Sequence, residues 1–194
     1  MNQQKAEQLA RDRLSPKRLQ HTLNVRDTAL ELAKIHQEDL EKTAIAALLH
    51  DVAKEMPKGD MLQIFQDNAI MAENAPQRPQ PVWHGICAAI LAKTQWGIKD
   101  EEILAAIRYH TTGRVGMSKL EKIIFLADMT SADRNYPQVD SLRALQKEDL
   151  SLAMETAIKL TIDWVQQQGN MLDPLSLQVL QQLRNNHIEG DSSV

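Results

Sequence analysis

The feature that most constrains this chain is the run Ala44-Ile45-Ala46-Ala47-Leu48-Leu49, followed at once by His50 and Asp51. Six apolar residues with no polar side read as a helix enclosed by other elements on every face. Two ionisable groups then stand at its end. Burying such groups costs on the order of several kcal/mol each unless a partner compensates them. A divalent cation is such a partner, because imidazole nitrogen and carboxylate oxygen suit iron, manganese or zinc. A helix end at the surface, with His50 favouring the helix dipole, accounts for the dipeptide equally well. The pair alone leaves both readings open.

The rest of the chain is helical in pattern. No stretch alternates with period two, and the seven glycines and seven prolines fall at segment edges. The predicted fold class is all-α. A short helix is expected over Gln3 to Asp12. Ser15 then caps, and Pro16 opens, a helix to about Gln37. On it His21, Val25, Thr28, Leu32 and Ile35 share one face. Asp39 caps the apolar helix. Pro57 and Gly59 interrupt, Asp60 to Gln66 forms a short helix, and Asn68 to Pro81 is a loop. Helices follow over Val82 to Gln95, over Glu101 to His110 behind the cap Asp100, and from Ser118 through Asp128. After a loop at Asn135-Tyr136-Pro137, two helices over about Asp149 to Gln168 and Pro174 to Asn186 complete the set. No linker divides the 194 residues, so the expectation is one domain, with its core over about 14–187 and a polar tail over 188–194.

Composition removes several functional classes. A net charge of −4 argues against a general nucleic-acid binder, which needs a basic face for phosphates. No stretch approaches the roughly 20 apolar residues of a membrane helix. Met1 to Arg13 is polar and lacks a signal-peptide core. The single cysteine, Cys87, permits no intrachain disulfide and fits a reducing compartment, so the expected location is the cytoplasm. The exposed faces carry no dimer signal and leave a homodimer open.

Four of the six histidines, with two aspartates, stand in unusual settings. His21 lies on the apolar face of its helix. Asp128 ends the apolar run Ile124-Phe125-Leu126-Ala127, much as His50 and Asp51 end theirs. One such placement is ordinary in a helical core, whereas their conjunction points to a metal site. His84 begins a helix after a proline-rich loop, and His110 ends one beside Tyr109. Both could cap helices, hold a second ion or bind substrate phosphate. Lys54, four residues after His50, is expected on the same helix side. Arg18 precedes His21 by three, and Arg134 follows Asp128 by six. Three basic groups tethered near proposed ligands favour an anionic substrate, though each is also a plausible solvated charge.

The order His21, His50-Asp51, Asp128 resembles the HD-domain phosphohydrolases. His50-Asp51-Val52-Ala53-Lys54, Pro81-Val82-Trp83-His84-Gly85, His110-Thr111-Thr112-Gly113, Lys122 to Asp128 and Asp133-Arg134-Asn135-Tyr136-Pro137 are similar to the bacterial YqeK family within that group. The likeness spans about residues 14–176. Met129-Thr130-Ser131-Ala132 departs from the family pattern, which has an aromatic and an acidic residue there. The resemblance implies an HD-domain helical bundle and symmetrical hydrolysis of diadenosine tetraphosphate to two ADP with iron, manganese or a similar metal, as one or two ions. It implies that His21, His50, Asp51 and Asp128 ligate metal. His84 and His110 would serve a second ion bridged by Asp51, or the phosphates. Asp51, Lys54, His84 and His110 form the implied catalytic set. Arg18, Lys54, Thr111 and Arg134 would contact phosphate, and the turn with Asn170 and Pro174 would approach the nucleoside. Hydrolysis of another nucleotide, a mono- or triphosphate or a guanosine alarmone, and nucleotide binding without catalysis are the competing readings.

Overall fold

Residues 1–191 are described by the computed structural model, which contains ten α-helices and no strand among those residues. In chain order they are α1 (Gln3–Arg13), α2 (Pro16–His36), α3 (Leu40–Leu49), α4 (Lys58–Asp67), α5 (Trp83–Thr94), α6 (Glu101–Tyr109), α7 (Lys119–Thr130), α8 (Val139–Glu148), α9 (Leu150–Gln167) and α10 (Pro174–Asp191). The all-α expectation holds. None of the helices is long and apolar enough to cross a membrane.

Local capping sets most helix starts. The Ser15 hydroxyl accepts from Arg18 N, Asp39 from Lys42 N, and Asp100 from the amides of Glu102 and Ile103. Ser118 and Glu121 form a reciprocal capping box at the start of α7. Each satisfies an amide that the first helical turn cannot.

The run from Thr43 to Leu49 is buried on every side, as its lack of a polar face predicts. Helix α3 packs against α1, α2, α6 and α7, while α7 packs against α2, α3, α6, α8 and α9. These two helices form the middle of the bundle, and Phe125 of α7 is among its largest fully buried side chains. The apolar core is continuous from Ala6 of α1 to Leu183 of α10. It therefore begins before residue 14, because Ala6 and Ala10 seat α1 against α3.

Several expectations need correction. Helix α8 falls where no helix was expected. Gln138, the residue before it, makes no side-chain cap, and only Val139, Leu142 and Gln146 are buried along it. It forms because that buried edge packs on α7 and α9, with Gln146 accepting from the Thr130 hydroxyl at 2.9 Å. The expected loop over 68–81 carries two short 3-10 segments, Ala75–Gln77 and Gln80–Val82, the second ending one residue past it. Helix α7 runs two residues past Asp128, to Thr130. Helix α10 continues beyond Asn186 to Asp191. The remainder of the predicted polar tail, 192–194, lies outside the described residues.

Candidate metal centre

The proposed ligands come from helix ends that meet at one place. Arg18 and His21 sit in the first two turns of α2, His50 follows the last residue of α3, and His84 is the second residue of α5. His110 follows the last residue of α6, and Asp128 lies two residues from the end of α7. Three C-termini thus converge there, and each contributes partial negative charge that favours a cation.

His50 and His110 use the same local device. His50 Nδ1 donates to the Ala47 carbonyl at 2.6 Å, and His110 Nδ1 donates to the Ile107 carbonyl at 2.7 Å. Each ring consumes a carbonyl that the ending helix would otherwise leave bare. The proton on Nδ1 leaves the Nε2 lone pair free to face inward. Because α3 ends in this way, residues 50–55 continue as turns, with Lys54 N donating to the Asp51 carbonyl at 2.8 Å. The spacing had predicted Lys54 on the helix, and it lies instead in a turn. It still reaches the site, with Nζ 3.3 Å from His84 Nε2.

The inward atoms crowd together. His84 Nε2 lies 3.0 Å from His110 Nε2 and 3.1 Å from Asp51 Oδ1. His110 Nε2 and His50 Nε2 each stand 3.6 Å from an Asp51 oxygen. A single proton on His84 cannot serve both His110 and Asp51. Accordingly Asp51 Oδ1 has no well-directed hydrogen bond, despite its closeness to His84, and neither does the wholly buried His50 Nε2. Leaving such atoms unpaired costs about 1–3 kcal/mol each. Three overlapping ligand sets occur: His21, His50 and Asp51; His50, His110 and Asp128; and Asp51, His84 and His110, with donor atoms within 4.8 Å of one another in each. Orphaned lone pairs, neutral imidazoles and carboxylates are what a divalent cation needs, so the residues present fit one.

Titration follows the same geometry. Burial pushes His50 down to about 4 against the attraction of Asp51. Burial likewise takes His84 to about 4, aided by the nearby Lys54 charge. Both rings are thus neutral, as ligation requires. Burial would raise Asp51, yet His50, His110 and His84 hold it well below the usual carboxylate range. Asp128 is also depressed, with His21 and Arg134 overcoming its burial. Burial would lower His21, but hydrogen bonds to Asp128 and Asp133 outweigh it and raise the ring.

Basic groups surround the cluster. Arg18 donates to Asp51 Oδ2 at 3.1 Å, and Arg134 donates to both the carbonyl and the carboxylate of Asp128. The Thr111 hydroxyl, next to His110, is buried without a partner. Asn170 and Pro174 are exposed and no hydrogen bond or ion pair joins them to the cluster. Their turn is nonetheless anchored nearby, since Ser176 donates to the Thr112 carbonyl at 3.2 Å and Arg78 donates to Asp173 at 2.7 Å. His36 stands apart and donates to the Gln146 carbonyl at 2.7 Å.

Two residues given no role from the sequence bear on the site. Asp133 accepts from His21 Nδ1 at 2.8 Å. Its sequence signal is its place at the start of the stretch Asp133-Arg134-Asn135-Tyr136-Pro137, which assigned it no role. Arg143 of α8 donates to the carbonyls of Thr130, Ser131 and Arg134 at 2.9, 2.9 and 3.0 Å, tying down the turn after α7.

A helical bundle that gathers His, His-Asp and Asp in this order defines a class. The chain belongs to the HD-domain family, whose sequence model matches residues 18–133. Among more specific relatives, it is 38% identical over 174 residues to a Bacillus subtilis protein named symmetrical bis(5'-nucleosyl)-tetraphosphatase, covering 90% of this chain and 93% of that one. A Staphylococcus aureus protein of the same name is 41% identical over 153 residues, 78% of each chain. A crystal structure of a Clostridium acetobutylicum protein, described as a predicted HD superfamily hydrolase involved in NAD metabolism, superposes with a TM-score of 0.86. It is 36% identical and covers 94% of this chain and 97% of that one.

Proposed function

We propose that this chain is a metal-dependent hydrolase that cleaves diadenosine tetraphosphate symmetrically to two ADP. The observation that carries the metal-dependent part is the convergence of six buried or half-buried ligand groups around unpaired lone pairs of His50 and Asp51. The substrate rests on similarity to tetraphosphatases over nine-tenths of the chain.

His21, His50, Asp51 and Asp128 would hold one divalent ion. His84 and His110, sharing Asp51, would hold a second. Their nitrogen and oxygen donors, with no thiolate among them, suit iron or manganese, and iron is our choice. When bound, the metal supplies Lewis acidity and acidifies a water ligand. The protein's own groups do the rest. Arg18, Lys54 and Arg134 ring the cluster with positive charge and can neutralise phosphate oxygens. The unpartnered Thr111 hydroxyl is free to donate to one. Lys54, whose Nζ lies 3.3 Å from His84 Nε2, would follow charge moving onto the leaving ADP. The turn carrying Asn170 and Pro174, anchored through Ser176 to the Thr112 carbonyl, would supply a nucleoside contact. A nucleotide substrate and one buried thiol fit a single-domain cytoplasmic enzyme.

Purified protein supplied with iron or manganese should convert diadenosine tetraphosphate to ADP as the sole nucleotide product. ATP with AMP would refute the symmetrical register, and binding without turnover would point to a nucleotide-binding module. The description of the Clostridium relative favours NAD, another dinucleotide with a phosphoanhydride, as a second reading. Faster turnover of NAD in parallel reactions would make that the better assignment.

A further inference from the structure

His21 differs from His50 and His110 in how its outer nitrogen is held. Those two rings follow helix ends and donate to carbonyls three residues back. His21 lies inside α2, where the preceding carbonyls already serve the helix. Its Nδ1 must find an acceptor elsewhere. Asp133 Oδ2, supplied from the turn after α7, stands 2.8 Å away. The other oxygen of Asp133 accepts from Asn24 Nδ2 at 3.0 Å, one turn along the same face of α2. The carboxylate is thereby fixed by two residues of one helix. On the inner side of the ring, His21 Nε2 meets Asp128 Oδ1 at 3.0 Å. Asp133 is absent from every ligand set of the cluster and is 39% exposed, so it lies behind His21 and not among the ligands.

We propose that Asp133 is a positioning residue for the metal centre: it takes the Nδ1 proton of His21, fixes the ring's tautomer and plane, and strengthens Nε2 as a donor. The proposal rests on reading the cluster as a metal site. A carboxylate behind a ligating imidazole polarises the N–H bond and raises the basicity of the opposite nitrogen. The main chain carrying Asp133 is itself held, since Arg143 donates to the carbonyls of Ser131 and Arg134 on either side of it. The acceptor therefore reaches His21 as part of a braced turn.

The test is metal affinity of the full chain, read by competition between the metal-stripped protein and a chromophoric chelator for Co2+ or Mn2+. Asp133→Ala should weaken binding about 10- to 100-fold. Asp133→Asn retains an acceptor without the charge and should fall between Asp133→Ala and the native chain. In a His21→Ala background, Asp133→Ala should change affinity by less than about twofold, because it acts through that ring. Native affinity in Asp133→Ala, or an effect of equal size without His21, would overturn the proposal. If His21→Ala itself binds metal like the native chain, the metal reading of His21 fails and the proposal falls with it. If His21→Ala loses metal while Asp133→Ala does not, the positioning role alone fails.

Discussion

Replacing Gly85 with alanine tests how tightly the site depends on the approach of α5 to α6. An added Cβ would stand 3.0 Å from the Arg108 carbonyl oxygen, 3.3 Å from the Ile107 carbonyl oxygen and 3.3 Å from His110 Cε1. Two opposing effects decide the outcome. Alanine within a helix is favoured over glycine by about 1 kcal/mol. Overpacking a close contact costs about 1–3 kcal/mol. Here two of the three obstacles are main-chain oxygens, which cannot rotate away as a side chain can. One of them, Ile107 O, accepts the His110 Nδ1 proton at 2.7 Å. The helices must part by a few tenths of an ångström, and the hydrogen bond that aims His110 moves with them. The overpacking should win, with Gly85→Ala destabilised by ~1 kcal/mol. Urea unfolding followed by helical circular dichroism would measure this, and chelator competition would show weakened metal binding in the same protein. A variant more stable than the native chain, with unaltered metal affinity, would refute the reasoning.

Lys54→Ala should retain bound metal but lose about tenfold or more in kcat/KM for diadenosine tetraphosphate, the scale of one hydrogen bond to a charged group. Native kinetics would remove Lys54 from the phosphate site. Arg143→Met should cost about 2–3 kcal/mol in chemical denaturation, because the carbonyls of Thr130, Ser131 and Arg134 lose a charged donor together. A change below ~0.5 kcal/mol would make that brace dispensable. Glu55 accepts from both the amide and the hydroxyl of Ser15, which hold its carboxyl below its ordinary 4.5. Its folded value is depressed, so its stabilisation is fully present above the unfolded pKa and lost as pH falls through the folded one. Glu55→Gln should therefore melt lower than the native chain at neutral pH, with the gap closing in acid. A gap that persists unchanged in acid would contradict this.

The helix starts at Ser15, Asp39, Asp100 and Ser118 were legible because a cap acts within three residues of itself. The burial of α3 was legible for a similar reason, since no face of Ala44 to Leu49 offers water a polar group. Helix α8 was not legible in this way. It lacks a side-chain cap and exposes most of its surface, so its stability depends on α7 and α9. The end of α3 at His50 was legible, but the place of Lys54 on the helix was not, because the His50 ring takes the Ala47 carbonyl and the chain goes on in turns.

The candidate ligands could be named from the chain because ionisable groups at the ends of apolar runs are costly wherever they are buried. Their partners could not. The contact of His21 with Asp133 joins residues 112 apart, and that of Lys54 with His84 joins residues 30 apart. No local pattern specifies such distances. By itself the sequence determined an all-helical chain, its main caps and the ionisable residues that stand at the ends of apolar runs. Only the tertiary structure decided that three helix ends would meet, which nitrogen of His50 and His110 would face inward, and that Asp133 and Arg143 would brace the site. Capping and periodicity are short-range effects written in adjacent residues, whereas the aim of a buried ring depends on which distant oxygen packing brings to its other side.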